Sequence, residues 1–303
     1  MGDKFEGFKW GPGLASRRFN ATGVVSAALL VLSVWWITSS HTRDSADPAV
    51  TVRIRPNERM VTKPEVHGTA ESFGSFEGSV RYIGTPPVPS VLARKGDPTV
   101  KDSECLVDDE LLDESLIVHG DAEQGVQNVF VYLQEAPIGY NPLPVPTAPV
   151  VLAMEGCQFR PHALAIRCGQ TLLAKWNDPL PHNLRFRTNR NRDPTSPIIK
   201  SLQEEPYQFH KSERQPMGIF CDLHMFMSAY FLPLDHPYVA ITDKTGNFRI
   251  DSLPTGKHRF CIWHERPGFL EKNLEIEVRA GETTERILSF AAERFVRQAA
   301  KSE

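Results

Sequence analysis

The sequence predicts an all-β protein: two packed β-sandwiches behind one N-terminal membrane-spanning helix. Three observations predict it. From Phe73 onward the chain breaks into short apolar or alternating runs, the period of strands. Gly- and Pro-bearing turns close several of them, as at Lys244-Thr245-Gly246 and Leu253-Pro254-Thr255-Gly256. Residues 21–38 form an uncharged apolar stretch, long enough to cross a bilayer as a helix.

In chain order, residues 1–20 carry Lys4, Lys9, Arg17 and Arg18. Positive charge before the apolar stretch predicts a cytoplasmic N-terminus and an exported remainder, periplasmic or otherwise extracytoplasmic. Trp35-Trp36 suits the far interface of the bilayer. A cleaved signal peptide is the rival reading, but Thr38-Ser39-Ser40 is a poor small-x-small cleavage site. Residues 39–70 are polar and Pro-punctuated, a tether. Residues 71–147 form an N-terminal β segment, with strands expected at Gly78–Gly84, Ser115–Val118 and Val126–Gln134 and a long acidic loop at 85–113. Residues 148–242 form the next unit and 243–290 a small β module. Residues 291–303 are a tail or short helix, with helical spacing in Phe290, Phe295 and Val296.

The densest chemistry lies in Cys221-Asp222-Leu223-His224-Met225-Phe226-Met227. It sets a thiolate, an imidazole and a thioether at the spacing C-x2-H-x2-M. A second imidazole, His182, follows the strand-like Leu172–Trp176 on a Pro-rich turn. Two imidazoles, one thiolate and a weak axial thioether are the donor set of a mononuclear blue-copper site. Soft sulfur favours Cu(I) and imidazole suits either state, so one geometry holds both. Structural zinc prefers a tight Cys pair, and no C-x2-4-C occurs. A Cys-His catalytic pair would leave Met227 and the His182 turn without a role.

These residues resemble the cupredoxins, from Val150 to about Thr242. Phe159-Arg160-Pro161, Leu164-Ala165-Ile166 and Gly169-Gln170-Thr171 look like the family's run into its first ligand strand. Asn177 to Asn183 looks like the turn bearing its first histidine, and the short ligand loop is similar to that of the amicyanin group. The resemblance implies a Greek-key sandwich with one type 1 copper held by His182, Cys221, His224 and Met227. It implies that Asn183 braces the loop by hydrogen bonding. It also implies that His224 is the more exposed ligand, ringed by Leu223, Met225 and Phe226. Amicyanin-like loops carry Pro where this chain has Met225, which loosens the loop. Farther on, Thr242-Asp243-x-x-Gly246-x-Phe248-x-Ile250 with Leu253-Pro254-x-Gly256 resembles the carboxypeptidase regulatory-like domain, a transthyretin-like module that is usually non-catalytic. Gly78–Ile83 could supply its first strand, which would interleave the two units.

The implied function is one-electron transfer by a membrane-anchored exported protein with a redox partner protein, and not catalysis. The alternatives are a binding module with a vestigial copper site and a carrier delivering copper to a respiratory enzyme. A net charge of -3 implies no strongly charged partner. Arg185, Arg187, Arg190 and Arg192 sit outside any nucleic-acid motif. Five cysteines fit an oxidising compartment. With Cys221 set aside, Cys105 and Cys157 near loops are the first pair to expect, and Cys168 and Cys261 read as core thiols. His162 reads as a strand-start histidine. Trp263-His264-Glu265 reads as a strand end that could set an imidazole beside a carboxylate. His236 reads as a linker residue, and Asp108, Asp109, Glu110, Asp113 and Glu114 as solvated acids.

Overall fold

The computed structural model describes residues 72–296, apart from 99–101, 103–105, 107, 121–122, 138–139, 141–142, 193–197 and 200–202. The expected membrane-spanning segment and tether therefore lie outside the described residues. Among the described residues no helix is long and apolar enough to cross a membrane.

The described chain is all-β. It opens with β1 (Phe73–Ile83), β2 (Val91–Arg94), β3 (Glu110–Leu112) and β4 (Phe130–Leu133). The next stretch holds β5 (Val150–Met154), β6 (Phe159–Arg160), β7 (Ala163–Arg167), β8 (Thr171–Trp176) and β9 (His182–Asn183). It continues through β10 (Arg185–Arg187), β11 (Ile198–Ile199), β12 (Glu204–Gln208), β13 (Met217–Phe220) and β14 (Ser228–Leu234). The chain closes with β15 (Val239–Ile241), β16 (Asn247–Pro254), β17 (Gly256–His264), β18 (Gly268–Val278) and β19 (Thr283–Ala291).

Two four-stranded sheets, ordered β10-β13-β14-β7 and β12-β8-β5-β6, build the half that carries the cysteine loop. Alternation explains their inner faces. In β8, Leu172, Ala174 and Trp176 are buried, while Thr171, Leu173 and Lys175 are half-buried. Between the sheets lie Phe186, Phe209 and Phe231, with ring centroids 4.7–5.3 Å apart. The other half stacks the sheet β16-β1-β19 against β15-β4-β17-β18, around Phe76, Phe248, Phe260 and Ile276. A small third cluster joins the halves: Phe130, Tyr132, Cys261 and Trp263 meet Ala163, Leu232 and Leu234. β1 runs parallel to β19 and antiparallel to β16, so a strand that opens the described chain is closed in by two that end it.

The turn at Asp243 shows why its motif has that spelling. Asp243 Oδ1 accepts hydrogen bonds from Thr245 N, Asn247 N and Thr245 Oγ1 at 2.7–2.9 Å. Gly246 follows at φ +77°, and a Cβ there would stand 2.6 Å from the Val80 carbonyl. Only glycine satisfies both demands.

Some expectations change. The 85–113 loop contains the β2–β3 hairpin. Ser115–Val118 contributes one bridge, Val118 to Val126, and no strand. The helical spacing at Phe290 belongs to β19, because Phe290 pairs with Tyr82 on β1. A single 3-10 turn, Ala292–Phe295, follows it and buries Phe295.

Candidate metal centre

The cysteine loop joins two hydrogen-bonded strands. β13 ends at Phe220 and β14 begins at Ser228, and these two residues are paired. Cys221 to Met227 is therefore a closed loop at one end of the sandwich. Cys221 N donates to Met227 O at 3.4 Å and Met227 N to His224 O at 2.9 Å. From the opposite sheet, β8 ends at Trp176, whose indole N–H donates to His182 O at 3.2 Å. That bond pins the Pro-rich turn so that β9 delivers His182 to the loop.

Three of the expected donors converge. His182 Nδ1 lies 3.0 Å from His224 Nδ1. Cys221 Sγ lies 3.9 Å from His182 Nδ1 and 3.7 Å from His224 Nδ1. All three residues are buried. A point roughly 2.1 Å from every donor falls inside this triangle, close to the ordinary lengths of metal–imidazole and metal–thiolate bonds. The fourth expected donor, Met227, is buried in the same core. Asn183 Oδ1 accepts from Asp222 N and its Nδ2 donates to Asp222 Oδ2, both at 2.7 Å. The residue after each of Cys221 and His182 is thus tied to the other.

Asp178 was not foreseen in this role, although the sequence motif contains it. Its Oδ2 accepts His182 Nε2–H at 2.8 Å. The same carboxylate accepts Gly156 N at 2.6 Å and Cys157 N at 2.9 Å. Fixing the proton on Nε2 leaves Nδ1 free to face the other donors, the usual arrangement of a carboxylate behind a metal-bound histidine. Burial alone would lift the Asp178 pKa, but the hydrogen bonds from His182, Cys157 and Gly156 hold it below the usual carboxylate range. Burial disfavours a charged His182, yet Asp178 and Cys221 outweigh it and push its pKa up to about 9. Burial likewise opposes a charged Cys221. The two imidazoles and the N–H groups of Asn183 and His224 overcome it, and the thiol is pushed down to about 6. Both shifts favour the charged forms of imidazole and thiol over the neutral ones, and a soft cation bound here would take the place of the proton between them.

Two findings correct the expected picture. His224 is only 1% exposed, not the open edge of the site. Asp102, from the chain between β2 and β3, reaches within 3.6 Å of its Nε2, and that nitrogen makes no hydrogen bond. Leu223 and Phe226 pack against the core, while Met225 alone of this group stands in solvent at 88% exposure. Second, Cys157 also brings its sulfur within 4.8 Å of the two imidazoles. It is disulfide-bonded and lacks thiolate charge, so Cys221 is the better anionic donor. Cys221, Cys168 and Cys261 are free thiols. Cys105, the expected partner of Cys157, lies outside the described residues.

Fold and site together define an all-β chain with a buried Cys–His–His donor cluster. No family model and no curated protein matches the chain. Several solved structures resemble part of it. A Cu-containing nitrite reductase (NirK) from Thermus scotoductus SA-01 is 19% identical over 34% of this chain, at a TM-score of 0.27. The chain spans only 26% of that protein. A reduced Cu(I) proline-to-glycine mutant of amicyanin is 17% identical over 30% of this chain and 86% of its own, at a TM-score of 0.26. An oxidised proline-to-alanine mutant of amicyanin gives 17%, 34% and 91%, again at 0.26. Likenesses this slight carry no weight in assigning the site.

Proposed function

We propose that this chain is a copper protein of the cupredoxin type, anchored in a membrane and exported, which passes single electrons to a partner protein. The donor triangle carries the reading: one thiolate and two imidazole nitrogens, mutually 3.0–3.9 Å apart and buried. His182, Cys221 and His224 would hold the ion, with Met227 as the weak fourth donor. Copper, when bound, supplies a one-electron couple. Asp178 sets the tautomer of His182, the Asn183–Asp222 pair fixes the distance between the two ligand-bearing segments, and burial keeps water out. A site held this firmly changes little between oxidation states. The test is a visible and EPR spectrum after Cu(II) addition, beside Cys221→Ser. An intense thiolate-to-copper band that the variant lacks supports the reading. A colourless wild type overturns it.

One observation favours copper delivery as a second reading. Met225 presents a soft thioether to solvent beside His224, where Cu(I) could be met. Delivery requires rapid loss of Cu(I) to a chelator, slowed in Met225→Ala.

A further inference from the structure

The ligand loop also walls a cavity. Residues Met225 to Ser228 line one side of a space of about 560 Å³, within the size range of small-molecule sites. Phe226 of this stretch is joined in the lining by three more aromatic rings, Phe159, Phe220 and Tyr230. Into this space the two halves of the protein each contribute one member of a buried polar pair. His162 precedes β7, and Glu265 follows β17. Their side chains are 9% and 7% exposed, with Nε2 and Oε1 2.5 Å apart. The sequence suggests a carboxylate partner for His264, but the imidazole that Glu265 meets is His162, 103 residues away in the chain.

The pair continues outward. His162 Nδ1 lies 3.9 Å from Glu114 Oε2, and Arg160 holds that oxygen at 2.6 Å. Burial opposes charge on His162, but Glu265 and Glu114 outweigh it and hold the imidazole above its ordinary pKa. Each carboxylate of the lining already has a basic side chain beside it: Asp113 has Arg266 at 3.4 Å, Glu114 has Arg160 at 2.6 Å and Glu265 has His162 at 2.5 Å. Arg187 lies over the Phe220 ring, 4.7 Å from its centroid. An ionic ligand would enter with its charge uncompensated, at a large desolvation cost. A neutral ligand would not. Flat aromatic walls favour a ring, and Glu265, with one oxygen turned to His162, has a second to accept a hydrogen bond from a hydroxyl.

We propose that this cavity binds a small neutral hydroxyaromatic molecule of the phenol, catechol or hydroquinone class. Its ring lies against the apolar wall, and its hydroxyl donates to Glu265.

The test uses the full chain prepared without metal, so that its failure is separate from failure of the copper reading. Binding of catechol, toluene, benzoate and benzylamine is followed by saturation-transfer NMR and equilibrium dialysis. Saturable catechol binding is expected, with each of the other three at least tenfold weaker. Glu265→Gln should weaken catechol at least tenfold. Leu92→Trp, which fills the cavity from outside the charged set, should abolish binding even if Glu265→Gln fails to fold. The proposal is overturned if catechol does not saturate. It is equally overturned if toluene or a charged probe matches catechol, or if a folded Glu265→Gln or Leu92→Trp binds catechol as the wild type does.

Discussion

At the scale of single residues, Asp178 is the most consequential side chain outside the donor set. It takes three hydrogen bonds while buried, and so couples the His182 turn to the backbone at Gly156 and Cys157. Asp178→Asn keeps the shape but removes the charge behind the imidazole. Copper affinity should fall about 10- to 100-fold, the usual effect of losing such a partner, as read by chelator competition. Unchanged affinity would show that His182 needs no orienting carboxylate. His264 offers a second residue-scale prediction. Complete burial, with the charges of Arg266 and His162, pushes its pKa down to about 3. Above pH ~6.5 the imidazole is neutral folded or unfolded, so it adds no slope. Below that, only the unfolded chain takes the proton, so stability is lost as pH falls toward 3. Urea denaturation at pH 7 and pH 5 should show His264→Leu losing about 2 kcal/mol less than the wild type over that interval. Equal losses would refute the assignment.

At the scale of elements, the sandwich that presents the cysteine loop depends on a small aromatic knot. Phe231 on β14 is fully buried against Phe186 and Phe209. Phe231→Ala should cost about 3–5 kcal/mol, measurable by denaturant unfolding, and a loss below 1 kcal/mol would mean the site collapses to fill the gap. The same scale explains what could be read from the sequence. β8 was legible because Leu172, Ala174 and Trp176 alternate with half-buried neighbours, and the Cys221–Met227 loop because its donors are close in the chain. The Asp243 turn was legible because one carboxylate and one glycine dictate it. Asp102 over His224, and Glu265 against His162, were not. These contacts join residues 122 and 103 positions apart, and neither residue type nor spacing announces a meeting made only by packed sheets. The helical spacing near Phe290 misled because pairing with β1 overrides local periodicity.

At the scale of the whole molecule, two hydrophobic cores share the junction of Phe130, Tyr132, Leu232 and Trp263. The cavity beside the ligand loop draws on both halves: His162 and Phe226 from one, Glu265 and Arg266 from the other. Neither half alone would form it. A mutation that loosens the junction should therefore disturb small-molecule binding before it disturbs the donor triangle, whose four elements lie on one side.

The placement of β1 between β16 and β19 also sets a timetable for biosynthesis. The strand that leaves the ribosome first among those described has its sheet partners made last, after the whole of β5 to β14. The donor-bearing half can collapse while synthesis continues, because its strands are complete by Leu234. β1 meanwhile has an earlier-made backbone partner only at its end, where Val80 to Tyr82 bond to residues 124–126; the rest of its edges wait bare, and an unpaired strand is a template for the wrong neighbour. For the half built on β1, maturation ends only when β19 slides in beside it.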